Sequence, residues 1–221
     1  MLESVNVIIS TYSIYRYELL KKCIDSILNG TYKNVKITVG VNGNPELLKL
    51  IKQLPVEIRI SDENLGYIPM MNGMIAENTS DLILYGADDV LFDNDCISLV
   101  VKEMQKRFPD GDGVVSINQK NLSWGLDTAF GLFGIKFAER FPNKMVFCIN
   151  YEHGYSDNEL GLYAKSIEKH YHCVKARLFH DRIRDESHLQ ARSMIHQDKD
   201  VFNMRRKRGF LWGKNFDLVG K

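Results

Sequence analysis

Asp81-Leu82-Ile83-Leu84-Tyr85-Gly86-Ala87-Asp88-Asp89-Val90 is a short apolar run that ends in glycine and then presents two adjacent acids. The run reads as a buried parallel strand over 81–86 with both carboxylates at its C-terminal tip. Open α/β sheets bind ligands at that edge. Neighbouring carboxylates repel each other and are costly to desolvate, so they suit a place where a hard divalent cation and its waters neutralise them, and such a cation could hold a diphosphate. A solvated acidic turn explains the same residues, since Asp is common in turns and Asp93 and Asp95 follow closely.

Upstream, Val5 to Tyr12 reads as a buried strand running into a polar turn, and Tyr17 to Leu28 carries Leu19, Leu20, Cys23, Ile24, Ile27 and Leu28 at helical spacing. A second strand over Val35 to Val41 stops at Asn42-Gly43-Asn44-Pro45, and Glu46 to Leu54 has the period of an amphipathic helix. A third strand, Val56 to Ile60, leads into Asn64-Leu65-Gly66. A helix over Pro69 to Asn78 follows, with proline acceptable in its first turn. This alternation predicts an α/β fold with a parallel sheet flanked by helices.

These residues carry a family resemblance. Thr11-Tyr12-Ser13 after the first strand, Ser26-Ile27-Leu28 on the first helix, Asn64 and Gly66 followed by the helical Asn72, and Ala87-Asp88-Asp89 stand in the order of a family 2 glycosyltransferase of the GT-A fold. Asp157-Asn158-Glu159-Leu160 matches the family's acceptor-side acid, and His180 matches a histidine that often completes its metal site. The resemblance spans about Val5 to Lys214, and its force lies in order and spacing because each motif is weak alone.

The resemblance implies one Rossmann-like, mostly parallel domain over 1–221, with a nucleotide-sugar-binding half at about 1–115 and an acceptor-binding half at about 116–221. It implies transfer of a sugar, with inversion, from a nucleoside-diphosphate sugar, foremost a UDP-sugar, to an acceptor hydroxyl such as a saccharide's. Asp89 and His180 would ligate Mn²⁺ or Mg²⁺, the imidazole suiting Mn²⁺. Thr11, Tyr12, Asn42, Asn64, Gly66, Asn72 and Asp88 would line the donor site. Asp157 would be the general base, with Glu159 in reserve. Ser156-Asp157-Asn158-Glu159 also has the form of a helix capping box.

Two departures stand out. The second strand ends in Val41-Asn42 where relatives often have an Asp, and Met71 stands where many have an Arg. Asn42 can hydrogen-bond a base edge but brings no charge. Two alternatives follow: a related enzyme acting on hydroxylated bases in nucleic acid, suggested by the small size and basic C-terminal half, and a non-catalytic nucleotide-sugar-binding module, suggested by those losses. A glycoside hydrolase needs carboxylates on opposite sides of the sugar, which neighbours such as Asp88 and Asp89 cannot provide. The first strand also lacks the Gly-x-Gly-x-x-Gly of a dinucleotide enzyme.

With 221 residues and 44% hydrophobic content the chain can bury a substantial core, and it has no apolar run long enough to cross a bilayer and no apparent signal peptide. Cys23, Cys96, Cys148 and Cys173 lie far apart, so reduced thiols and a cytoplasmic location are expected. Residues 1–111 carry 11 Lys plus Arg against 15 Asp plus Glu, a balance of −4; residues 112–221 carry 18 against 13, a balance of +5. The positive half holds Arg205-Arg206-Lys207-Arg208, then Phe210, Trp212 and Lys214, which reads as a lid over the diphosphate, as a site for an anionic acceptor such as nucleic acid, or as a solvated tail. All six histidines follow residue 150, four of them eight residues apart, a spacing that fits neither helix nor strand. Trp124-Gly125-Leu126 and Phe130 to Gly134 suit a loop that stacks on a sugar or closes over substrate, a buried hairpin, a surface helix packed on the sheet, or, for the apolar Gly131 to Phe137, peripheral membrane contact.

Overall fold

A computed structural model describes residues 3–120, 128–181, 186–209 and 212, without the side chains of 186–188, 190 and 191. Strand β1 (Val5–Thr11) leads into helix α1 (Tyr17–Leu28), β2 (Val35–Asn42), α2 (Pro45–Ile51), β3 (Glu57–Ser61), α3 (Tyr67–Ala76) and β4 (Leu82–Ala87). The second half adds β5 (Val90–Phe92), α4 (Cys96–Arg107), β6 (Val114–Gln119), β7 (Gly131–Gly134), the short α5 (Ile135–Ala138), α6 (Ser156–Ser166), β8 (His170–His180) and α7 (Glu186–Lys207). The eight strands form one mostly parallel sheet in the order β3-β2-β1-β4-β7-β6-β8-β5. β3, β2, β1 and β4 pair in parallel, β7 runs against β4 and β6, and β5 runs against β8.

Strand alternation builds a core on each face. Val5, Val7 and Ile9 of β1 point to one side and Ile8 to the other. On the first face α1 buries Leu20, Cys23, Ile24 and Ile27, spaced i, i+3, i+4 and i+7. Each such fully buried aliphatic side chain contributes roughly 2 kcal/mol. On the second face Met70, Met71, Met74 and Ile75 of α3 pack with Phe133, Phe137 and Tyr163.

Three boundaries differ from the sequence reading. α2 closes at Ile51 because Leu54 precedes Pro55, which disfavours helical backbone there, and residues 50–54 turn through short i→i+3 bonds instead. α3 begins two residues before Pro69 and ends at Ala76; Asn78 binds its amide to Ser80 O and Asn6, in competition with the helix. Gly131–Gly134, fully buried between β4 and β6, is the hairpin alternative, and Phe130, Phe133 and Phe137 are buried as well. Their rings therefore face the core instead of a membrane or a sugar, while Ile135 is partly exposed; Trp124-Gly125-Leu126 lies outside the described residues.

Sheet order fixes where ligands can go. β2 lies on one side of β1 and β4 on the other, so connections leave in opposite directions beside β1 and open a crevice at the carboxyl ends of β1 and β4. Ser10 pairs with Ala87, which brings Thr11 level with Asp88.

Candidate active site

The two acids occupy that crevice, and both are buried. Thr11 donates its hydroxyl to Asp88 Oδ2 at 2.8 Å, and Arg16 reaches back from the first turn after β1 to give one Nη to Asp88 Oδ1 and the other to Asp89 Oδ2, each at 2.6 Å. This single fork separates the like charges. Asp89 Oδ1 makes no hydrogen bond of ordinary geometry, yet His180 Nε2 stands 3.1 Å from it. Burial works to raise the Asp89 carboxyl, but His180 and Arg16 overcome it and hold the group below its usual range.

A long-range register brings His180 there. β8 follows β6 in parallel as far as Ile117 opposite Cys173; Asn118 then pairs with Arg177, so Val174, Lys175 and Ala176 bulge out. Beyond the bulge β8 pairs with β5, His180 opposite Val90, and Asp181 N–H donates to Asp89 O at 2.7 Å. A buried carboxylate oxygen beside an imidazole nitrogen is an N/O donor pair that fits a divalent cation such as Mn²⁺. Among the described residues no cluster of three or more His, Cys, Asp or Glu could hold a metal. A cation here would thus draw its remaining ligands from phosphate and water.

Asn42 ends β2 by donating Nδ2 to Gly66 O and accepting Leu65 N–H at Oδ1, both at 2.8 Å. Gly43 must follow it: φ is +65°, and a Cβ would lie 2.5 Å from Asn64 N. Asn72, equally buried, closes a two-bond bridge to the backbone of Phe147, at 2.7 and 3.0 Å. Both amides, expected at the donor site, hold the backbone around the crevice. Asn64 and Tyr12 are exposed at its mouth. A cavity of about 130 Å³ opens at the carboxyl ends of β2 and β3, bounded by Gly43, Asn44, Leu48 and Asp62. The larger cavity, about 450 Å³, lies at the opposite sheet edge around Glu3, Asp81 and Lys136, remote from the acids.

Asp157 is the second residue of α6 and only partly exposed. Burial lifts its carboxyl to about 6, against opposing bonds from the N–H groups of Asn158 and Asp157. Tyr67, at the start of α3, links the two halves: burial raises its phenol, and the charges of Asp157, Asp89 and Asp88 push it further. Acids from the tip of β4 and the start of α6 therefore act on one phenol. His153 packs its ring 5.7 Å from that of Tyr67.

Glu159 has a different role from the one expected. It is 1% exposed, takes Arg205 Nε and Nη2 at 2.8 and 2.7 Å, and accepts the Tyr151 hydroxyl at 2.6 Å. These bonds occupy the carboxylate named above as the reserve base. The capping box does not form either: Tyr155, with φ 63°, is the N-cap, Ser156 is already helical, and no side chain caps the turn. The basic run loses Arg205 to this pair, and Trp212 is buried with its indole N–H on Met145 O. Phe210 and Lys214 lie outside the described residues. The histidines disperse: His170 and His172 flank Ser116 Oγ at 3.0 Å each, and His196 is exposed. All four cysteines are buried and free.

The sequence reading does not single out Arg16 or Asp198, and it takes Arg205 only as part of the basic run. Arg16 carried a readable signal, a lone cation in the turn facing a strand end that holds two acids. Asp198 and Arg205 had none, because their partners lie more than forty residues away.

Residues 6–158 match the family described as Glycosyl transferase family 2. Over 227 aligned residues the chain is 24% identical to glycosyltransferase GlyA of Streptococcus pneumoniae serotype 4, covering 95% of this chain and 31% of that protein. The chain thus spans about a third of the length of that curated relative. Among solved structures, a mannosyltransferase from Pyrobaculum calidifontis in complex with GDP-Man and Mn²⁺ superposes with a TM-score of 0.72 at 16% identity, over 94% of this chain and 65% of that one. S. aureus TarS 1–349 in complex with UDP-GlcNAc gives 0.68 at 9% identity, over 99% and 76%. These likenesses agree on the fold. No described helix is long and apolar enough to cross a membrane.

Proposed function

Since the chain belongs to glycosyl transferase family 2, we propose that it moves a sugar from a nucleoside-diphosphate sugar to an acceptor hydroxyl, with inversion and with help from a divalent cation. The reading rests on one observation: the segment leading into Asp157 meets the start of α3, with His153 packed 5.7 Å from Tyr67 and Glu152 O 4.0 Å from where a Cβ on Gly66 would stand, which supports one cleft for the strand-tip acids and Asp157.

In this reading the diphosphate lies at the carboxyl ends of β1 and β4, with the base toward the 130 Å³ cavity. Asp89 Oδ1 and His180 Nε2 would hold the cation, and Thr11 and Arg16 orient Asp88 next to Asp89. When bound, the cation offsets the negative charge that builds on the departing diphosphate. Asp157 accepts the proton of the acceptor hydroxyl as its oxygen bonds to the anomeric carbon and the bond to the diphosphate oxygen breaks on the opposite face. A carboxyl titrating near 6 is ionised at neutral pH and remains a stronger base than an ordinary aspartate. Mn²⁺ complexed with GDP-Man in the Pyrobaculum protein supports the cation, and UDP-GlcNAc on TarS supports a nucleotide-sugar donor.

The test is diphosphate release from UDP- and GDP-sugars with Mn²⁺, across saccharide and hydroxylated nucleic-acid acceptors. Release that disappears with chelator and with Asp89→Ala supports the assignment. Release indifferent to both overturns the cation's part, and tight nucleotide-sugar binding with no release from any pair identifies a binding module instead.

A further inference from the structure

α7 lies wholly beyond residue 158, where the family match ends. Its residues Asp198, Phe202 and Arg205 are spaced i, i+4 and i+7, which sets them on one helix face. That face holds a single stretch of chain. Asp198, 1% exposed, receives three consecutive backbone N–H groups: Glu152 at 2.9 Å on Oδ1, and His153 at 2.9 Å and Gly154 at 2.7 Å on Oδ2. Phe202 packs its ring 5.2 Å from that of Tyr155. Arg205 grips Glu159 through two nitrogens, and Glu159 in turn holds Tyr151.

Asp157 sits between these attachments, with the Asp198 and Phe202 contacts before it and the Arg205 contact after it. Tyr155 is left-handed at φ 63°, a backbone that a non-glycine residue keeps only where its surroundings impose it. The stretch so held also meets the donor side: His153 packs on Tyr67, and a Cβ on Gly66 would come within 4.0 Å of Glu152 O. Three consecutive N–H groups turned inward form an anion-binding nest, and here the anion is supplied by the protein's own helix.

We infer that the Asp198-Phe202-Arg205 face of α7 positions the base, setting Asp157 over the donor crevice without touching the substrate. The inference rests on the reading of Asp157 as the base. Asp198, Phe202 and Arg205 are then positioning residues, and docking of α7 and competence of the acceptor side become one event.

The experiment compares the full chain with Asp198→Ala and Phe202→Ala by three readouts. These are amide exchange over 151–155, the carboxyl titration of Asp157 by carbon NMR, and calorimetric affinity for Mn²⁺·UDP and Mn²⁺·GDP. Exchange at 152–154 should rise about ten-fold or more in both variants while β1 stays protected. The Asp157 midpoint should fall from about 6 toward its ordinary 3.8 as the loosened segment admits water. The charge of Asp157 acts on the neutral phenols of Tyr67 and Tyr85, and neither is altered. Phe202→Ala changes no charge, so its shift reports displacement alone. Nucleotide affinity should hold within about two-fold, because the donor crevice is built on other strands.

An unmoved Asp157 midpoint in Phe202→Ala overturns the inference. So does loss of nucleotide binding together with β1 protection, which marks α7 as general support for the fold. If an alanine variant fails to fold, Asp198→Asn and Phe202→Leu take the same readouts with volume kept. Turnover retained in Asp157→Asn overturns the base reading itself; it differs from a failed clasp, in which Asp157→Asn is inactive yet both α7 variants titrate like the parent.

Discussion

Arg205 on α7 and Glu159 on α6, forty-six positions apart, form a bidentate ion pair at 2.8 and 2.7 Å with side chains only 7% and 1% exposed. Breaking a buried pair from one side strands a charge without a partner. Arg205→Ala should therefore cost about 3–5 kcal/mol. In a chain of this size that lowers the melting temperature by roughly 10 °C. Replacing both residues with apolar ones of similar volume, Glu159→Leu with Arg205→Met, should recover most of the loss. Thermal melts of the singles and the double measure this, and a double no better than Arg205→Ala refutes it.

Arg16 supplies the countercharge for Asp88 and Asp89. Arg16→Gln leaves two adjacent buried carboxylates to repel, so the metal-free protein should lose about 3 kcal/mol. Mn²⁺ should then raise the melting temperature more than it does in the parent, because the cation takes over the task the guanidinium performed. A Mn²⁺ shift equal to or smaller than the parent's contradicts this role.

Asp157 titrates near 6 in the folded chain against an ordinary 3.8. The folded state holds the proton more tightly than the unfolded one, so this group costs stability as pH rises from about 4 to about 6, and the cost is complete above that window. For a partly exposed carboxyl the cost is on the order of 2 kcal/mol. Asp157→Asn should be more stable than the parent by about this amount at roughly pH 8, with the gap closing near pH 4, while turnover is lost. Parent kcat should decline below about pH 6. Denaturant titrations and a pH–rate profile check both; a profile flat through pH 6 removes Asp157 as the base.

Asp89 runs with the opposite sign. Its folded pKa is depressed, so the stability it contributes is present above its ordinary 3.8 and is lost as pH falls through the lower folded value. His180→Ala removes part of what depresses it and should weaken Mn²⁺ binding by roughly ten-fold or more. Titration calorimetry reads the affinity, and unchanged binding excludes His180 as a ligand.

Gly43→Ala places a methyl 2.5 Å from Asn64 N at φ +65°. The turn must yield, at about 1–3 kcal/mol, and nucleotide affinity should fall while the Asp157 titration stays put. A variant that binds nucleotide as the parent does shows that the turn lies outside the donor site.

By itself the sequence determined what depends on near neighbours. The apolar runs, the helical spacing on α1 and the glycine-and-acid strand tip are local patterns set by backbone geometry, and from them came the α/β alternation and the crevice holding Asp88 and Asp89; the fold family came from the resemblance of the ordered motifs. Tertiary structure alone decided which side chains are committed to holding the protein together. Asn42 and Asn72 looked like ligand contacts and turned out to bind backbone. Glu159 looked like a second base and became Arg205's partner, and Asp198 drew no notice before it met three amides. Each outcome depends on desolvation: a buried amide or carboxylate must find a partner, and whichever group the fold brings alongside, however distant in sequence, determines its role.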